Sequence, residues 1–294
     1  MSRTKLGLVL GGGGARGLAH IGVLRALEEE KIPFTFIGGS SMGALIGGMY
    51  AQNPDAAMLQ NKIITYIKKS SFKKISLTDP RQKIPKSPLD LFSELIHNVK
   101  RKLVLNFAAE RLSLLKADRL QQAVIELLSD GLIEECKIPF VCVATDLNSG
   151  NEIIFRKGHI RKAVEASSAI PGFLPPVQLD GYLLMDGSVS NNFPIAQVRK
   201  MGANKVIAVN VSLNLKNNIH IDNIIDLVMR SAQITARKLD ELLQMQADLV
   251  IRPDISDIHW SEFSRAEELI QIGLDETRRI MPQVKKLFKK RLLF

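Results

Sequence analysis

Residues 38–43 read GGSSMG, directly after the apolar run FTFI and at the start of MGALIGGMYAQ. The spacing Gly39-x-Ser41-x-Gly43 between a strand and a helix suits a tight elbow that lifts a serine hydroxyl clear of the sheet. The helix that follows aims its N-terminal amides and its dipole at the same spot. A hydroxyl held that way is poised to attack a carbonyl. Ser40 fills the free position, and its side chain is expected to point elsewhere. Serines between glycines also serve as ordinary turn residues, so the reading needs support from elsewhere in the chain.

A second glycine stretch, GGGGARG at 11–17, follows the apolar run KLGLVL. Gly12-x-Gly14-x-x-Gly17 fits a dinucleotide fingerprint. That use expects an acidic residue at the end of the second strand for the ribose hydroxyls. The second strand ends FTFIGGSS, with no acid. A phosphate-binding Walker loop also fails, because no Gly-Lys-Ser/Thr follows. The remaining use of unhindered amides is to hold a developing oxyanion, where one donor is typically worth on the order of 10²–10³ in rate. Arg16 adds a fixed positive charge beside them.

A serine nucleophile needs a base. Of His20, His97, His159, His220 and His259, only His220 and His259 lie where a Ser, acid, His order would put the histidine. Neither follows a convincing strand at a glycine-marked turn, and both also read as ordinary loop residues. Asp186 in LLMDGSVSNNFP is the better candidate. It ends an apolar strand and should emerge at the same sheet edge as Ser41, although Asp-Gly is also a plain turn pair.

Together GGGGARGLAHIGVL, GSSMG, ASSAIPGFLPPV and DGSVSNNFP strongly resemble the patatin-like phospholipases, in particular their small single-domain bacterial members. The resemblance covers roughly residues 5–210 in four ordered blocks. It implies a Ser–Asp dyad without histidine, with Ser41 as nucleophile and Asp186 as its partner. It also implies an oxyanion hole at Gly13, Gly14, Arg16 and Met42, with Gly12, Gly17, Gly39, Gly43 and Gly187 as motif positions. The implied activity is hydrolysis of fatty acyl esters of phospholipids or lysophospholipids through an acyl-enzyme, with no metal and no cofactor. A thioesterase or acyltransferase on the same dyad, or a non-enzymatic regulatory protein on the scaffold, are the alternatives. One departure stands out. The third motif is usually Asp-Gly-Gly or Asp-Gly-Ala, and here it is Asp186-Gly187-Ser188, whose hydroxyl can compete for the carboxylate.

The elements that must position these residues alternate strand and helix. KLGLVL, FTFI, IPFVCVATDL, NEIIF, YLLMDGS, KVIAVNVS and DLVIRPD read as strands; LAHIGVLRALEEE, MGALIGGMYAQ, GHIRKAVEASS, FPIAQVRKMG, IDNIIDLVMRSAQITARKLDELLQMQ and SRAEELIQIGLDETRRIMPQVKKLF read as helices. The expectation is one α/β domain over 1–294: the resemblance implies a patatin-like three-layer fold, with a mostly parallel central sheet flanked by helices. A helical insertion is expected at about 55–130, including an amphipathic helix in SPLDLFSELIHNVKRKLVL, and a basic helix and tail at about 264–294.

Bulk properties agree with a globular protein: 294 residues, 46% hydrophobic, 24% charged. No stretch reaches the roughly 18 apolar residues of a spanning helix, nor an N-terminal signal core. Cys136 and Cys142 have no metal-like companions and read as reduced thiols. The expected setting is cytoplasmic, with peripheral membrane contact. The net charge of +10 is uneven: residues 61–116 carry thirteen Lys/Arg against four Asp/Glu, and 277–294 carry seven basic residues and no acid. Such a face suits anionic lipid. Nucleic acid is disfavoured, because no zinc-finger spacing accompanies the charges.

Overall fold

The computed structural model describes residues 4–69, 117–212, 221–255 and 257–288. The expected helix in SPLDLFSELIHNVKRKLVL, most of the expected insertion and the end of the basic tail lie outside these residues. In chain order the elements are β1 (Leu6–Leu10), α1 (Ala19–Glu29), β2 (Phe36–Gly39), α2 (Met42–Gln52), α3 (Ala56–Lys69), α4 (Ala117–Leu127), β3 (Phe140–Asp146), β4 (Glu152–Phe155) and α5 (Ile160–Ser167). Then come β5 (Val177–Leu179), β6 (Tyr182–Asp186), α6 (Ile195–Lys200), β7 (Lys205–Val209), α7 (Ile224–Gln244), β8 (Leu249–Ile251) and α8 (Ala266–Lys286).

The strands form one sheet in the order β5-β6-β3-β2-β1-β7-β8, with β4 also paired to β3. The pairs β2–β1, β1–β7, β7–β8 and β2–β3 are parallel; β3–β4, β3–β6 and β5–β6 are antiparallel. Parallel strands covered on both faces read as continuous apolar runs, and β1 and β3 are buried throughout their length. Alternate residues go to opposite faces. Leu6, Leu8, Leu10, Phe140, Cys142, Ile207 and Val209 face the larger core, packed by helices that include α1, α2, α3 and α8. Val9, Val141, Val206 and Ala208 face a smaller core with Ile195 and Val198 of α6. The result is the expected arrangement of helices on both sides of a mostly parallel sheet.

Two details differ from the sequence reading. FTFI places the second strand two residues too early, since β2 begins at Phe36. The short β5 starts at Val177, the last residue of ASSAIPGFLPPV, and runs past it into a stretch not read as a strand; three residues paired only to a neighbouring hairpin strand carry too little periodicity to register.

The third strand carries the arrangement on which the site depends. Its residues Phe140 to Cys142 pair with β2, whereas Ala144 to Asp146 pair with β6. Both Cys142 and Ala144 also pair with β4 on the other side. Therefore β2 and β6 occupy the same edge of β3. They run in opposite directions and meet end to end near Val143. The last residue of each lies beside the other, which brings the turn after Gly39 to Asp186.

The helix layer is tied by an unusually close crossing of α1 and α8. A β-carbon on Gly22 would strike the carbonyl of Ile270, and one on Gly273 would strike that of Ala19. Backbone contact of this kind leaves no flexible side chain to yield. Gly273→Ala is expected to cost about 1–3 kcal/mol by overpacking, lowering the melting temperature by roughly 2–4 °C per kcal/mol in a chain of this size. Thermal unfolding of the variant beside the parent checks this.

Candidate active site

Ser41 caps the N-terminus of α2 with φ 55° and ψ −127°, a left-handed φ that a side chain rarely adopts. The strain is held by neighbours. Its amide donates to the carbonyl and the hydroxyl of Ser167, both at 3.1 Å, and its carbonyl accepts from Ser168 Oγ at 3.2 Å. The elbow can form only without side chains on either flank. A β-carbon on Gly39 would meet the carbonyl of Gly43, and one on Gly43 the carbonyl of Leu10. The Ser40 hydroxyl is buried beside Gly187 and unpaired among the described residues.

The hydroxyl of Ser41 does not cap its own helix. It donates to Asp186 Oδ2 at 2.5 Å across 145 positions of chain. That length belongs to charge-assisted O–H···O⁻ bonds. Both residues are almost wholly buried, at 4% and 1% exposure. Asp186 Oδ1 accepts from the Ser188 amide at 2.9 Å. Its main chain is held by Ala169, which accepts from the Asp186 amide at 3.0 Å, and by Thr145 Oγ1, which donates to its carbonyl at 3.0 Å. Burial pushes the Asp186 carboxyl above its usual range, and hydrogen bonds from Ser41 and Ser188 pull it partly back. The hydroxyl's partner is thus a carboxylate. His259 engages Ser261 Oγ at 2.8 Å, and His220 lies outside the described residues.

The glycine loop lies against this pair: a β-carbon on Gly12 would sit 2.9 Å from Ser41 Cβ. Gly17 packs on the Met42 side chain. The Gly187 backbone abuts the Val143 carbonyl, at the point where β2 and β6 meet. Arg16 Nε donates to the Gly13 carbonyl at 3.3 Å, and its Nη1 is buried without a partner among the described residues. Burial lowers the guanidinium pKa to about 10, so it stays cationic at neutral pH. Met42 supplies the first amide of α2, which by position has no acceptor within its helix.

The structure therefore draws together Ser41, Asp186, the loop from Gly12 to Gly17, Met42 and Gly187. Sequence reasoning gave no role to Ser167, Ser168, Thr145, His20, Asn192 or Asp240. Ser167, Ser168 and Asn192 stand inside the quoted motifs, but their contacts depend on how distant segments fold together. Among the described residues no group of three His, Cys, Asp or Glu side chains is arranged to hold a metal. None of the described helices is long and apolar enough to cross a membrane.

This chain is 33% identical over 213 residues to patatin-like phospholipase domain-containing protein 6 of Mus musculus, spanning 72% of this chain and 14% of that one. It is 29% identical over 301 residues to the patatin-like phospholipase domain-containing protein ZK370.4 of Caenorhabditis elegans, spanning 93% of this chain and 20% of that one. Against lysophospholipase NTE1 of Saccharomyces cerevisiae it is 25% identical over 303 residues, spanning 95% and 16%. The chain thus spans a fifth or less of these three relatives. The family model described as patatin-like phospholipase matches residues 8–199, the stretch that holds the elbow, the glycine loop and Asp186. On that match, with the motif residues gathered at one point of the sheet, the chain belongs to the patatin-like phospholipase family.

Proposed function

We propose that the protein is a serine acyl hydrolase in which Ser41 and Asp186 form a catalytic dyad. The observation that carries the reading is the 2.5 Å contact between Ser41 Oγ and Asp186 Oδ2, made by a strained serine at the start of a helix. As Oγ attacks an acyl carbonyl, its proton passes to Asp186. The tetrahedral oxyanion is received by the Gly13, Gly14 and Met42 amides and the charge of Arg16. Collapse expels the alkoxide, which takes the proton back from Asp186, and leaves an acyl-Ser41 ester. Water then attacks that ester, giving its proton to Asp186, and Ser41 leaves with the proton restored.

A free aspartate is a weak base toward a serine hydroxyl. Burial strengthens this one, and an alkoxide leaving group asks less of the acid than an amine does. The yeast relative is named a lysophospholipase, and we carry that class to this chain: a fatty acyl ester of a phospholipid or lysophospholipid. The basic balance of residues 61–116 and the basic C-terminus support docking on an anionic lipid surface.

Ser41→Ala is expected to abolish turnover of a lysophospholipid and labelling by a fluorophosphonate probe. Asp186→Asn should lower kcat by roughly 10³-fold or more, as removal of a triad member does. Parallel assays with an acyl thioester and with an alcohol acceptor separate hydrolase from thioesterase and acyltransferase. Turnover unchanged in Ser41→Ala ends the proposal.

The pH dependence follows from the raised carboxyl. Activity needs the Asp186 anion, so kcat/KM falls as pH drops through the folded pKa, with a midpoint above the pH of about 4 typical of a free aspartate. Ser188→Ala keeps the Ser188 amide bond to Oδ1 and removes only the smaller contribution of the hydroxyl, so it moves that limb slightly higher. For stability the sign is opposite. A raised folded pKa favours the protonated form, so the fold bears the cost of a buried anion once pH rises past that value. Asp186→Asn should therefore melt no lower than the parent at pH 7, read by thermal unfolding. Vesicles containing phosphatidylglycerol should bind the protein more than zwitterionic ones, and 0.5 M salt should release it, since it cuts the screening length to under about 8 Å.

A further inference from the structure

Peptide by peptide, the glycine loop is strapped everywhere except at its middle. Gly11 N donates to the Val209 carbonyl at 3.1 Å, and Leu10 O accepts from Ser40 N at 3.2 Å. The next peptide joins Gly11 to Gly12. Its carbonyl meets His20 Nε2 at 2.7 Å, and its amide donates to Asn192 Oδ1 at 2.6 Å. On the far side, Arg16 holds the Gly13 carbonyl, and Ala15 N donates to the Trp260 carbonyl at 2.6 Å. Between these straps, the amides of Gly13 and Gly14 have no acceptor among the described residues. Gly14 is buried and Gly13 partly buried, and main-chain amides held away from water are nearly always paired, so two in succession with no acceptor among the described residues mark a place open to an acceptor from outside.

We infer that His20 and Asn192 are positioning residues for those two amides, gripping opposite edges of the Gly11–Gly12 peptide plane, and that Asp240 fixes the orientation of Asn192 that makes the grip. The inference rests on the serine hydrolase reading above. A trans peptide presents its oxygen and its hydrogen on opposite sides. Contacts on both sides therefore fix its rotation, and with it the direction in which the chain enters Gly13.

The orientation of each gripping group is dictated by its surroundings. A carboxylate only accepts. Asp240 Oδ2 lies 3.1 Å from Asn192 Nδ2 and 2.7 Å from Ser212 Oγ. The amide group of Asn192 must turn its NH₂ toward Asp240, which leaves Oδ1 facing Gly12. Asp240 is buried at 7% exposure and belongs to α7, a helix with no other part in the site. A carbonyl likewise only accepts, so His20 carries its proton on Nε2. Its Nδ1 is buried with no partner among the described residues, and burial lowers the imidazole pKa to about 4. His20 is thus a neutral donor throughout the working pH range.

The test compares the parent with Ser41→Ala, Asn192→Ala, Asp240→Asn, His20→Ala and His20→Gln, the last keeping an N–H donor near the position of Nε2. Three quantities are measured: kcat and KM on a soluble ester, affinity for a long-chain alkyl trifluoromethyl ketone, and melting temperature. The ketone adds to Ser41 and places an oxyanion where the reaction would. In Asn192→Ala and His20→Ala, kcat and ketone affinity should fall together by roughly 10–100-fold, the scale of misplacement and short of the roughly 10²–10³ of a donor lost outright, with KM changed less than about threefold. His20→Gln should recover most of the loss. Where an alanine variant fails to fold, Asp240→Asn and His20→Gln decide, Asp240→Asn lowering both quantities at least about threefold on the same grounds. Folded Asn192→Ala or Asp240→Asn with kcat and ketone affinity within about twofold of the parent overturns the inference, as does a lowered melting temperature alone. Activity surviving in Ser41→Ala instead sinks the hydrolase reading, a separate outcome.

Discussion

The site depends on two strands sharing one edge of a third. The parallel ladder from β2 and the antiparallel ladder from β6 occupy successive halves of β3 and end against each other. Backbone hydrogen bonds thereby set the distance between the serine elbow and the aspartate. Register matters as much as adjacency, since slipping β6 by one residue would turn Asp186 to the opposite face of the sheet. The pairing of Ala144 with Asp186, the Thr145 hydroxyl on the Asp186 carbonyl and the tight seat of Gly187 against Val143 all resist such a slip. Long-range geometry is thus converted into local main-chain contacts, which side-chain rotamer freedom hardly disturbs.

Placing a carboxylate there has opposed consequences. Desolvation makes Asp186 a better base and a costlier residue to bury as an anion. The donors at Ser41 and Ser188 offset part of that cost and take back part of the basicity. In the proposed reaction the Ser41 proton leaves its bond and joins the carboxylate, so the buried charge is neutralised on Asp186 as a new one develops on the substrate. On the same proposal, the glycine-loop amides and Arg16 matter because they receive that charge where it arrives rather than where it began.

Much of this was legible in the residues, for identifiable reasons. The glycine spacings around Ser41 and in GGGGARG survive any reading, because only those positions admit the close backbone contacts at Gly39, Gly43 and Gly12. Apolar runs gave the buried strands. What stayed hidden was three-dimensional partnership. Nothing in LLMDGS discloses that β6 runs antiparallel and meets β2 head-on, so the expectation of a shared sheet edge reached the right neighbour without the route. His20 reads as one of five histidines, set aside as a base by its place in the chain order, and Asp240 as one charge among many on α7. Their importance lies in what they touch, across distances of nine residues for His20 and Gly11 and 48 for Asp240 and Asn192.

The energetic costs in this fold are concentrated around one point. A left-handed serine costs about 1–3 kcal/mol, and each buried donor left without a partner costs about 1–3 kcal/mol. Ser41, the Gly14 amide and Arg16 Nη1 all belong to this small region, with the partly buried Gly13 amide beside them. Scattered strain would say little. Gathered strain that a negatively charged oxygen would relieve has direction, because the ground state of the free protein lacks that oxygen and the tetrahedral species contains it. Interactions made only at that stage lower the barrier rather than merely tighten binding. On the proposed reading, the strapping of the loop by His20, Asn192, Arg16 and Trp260 keeps its unpaired amides from turning inward to satisfy themselves.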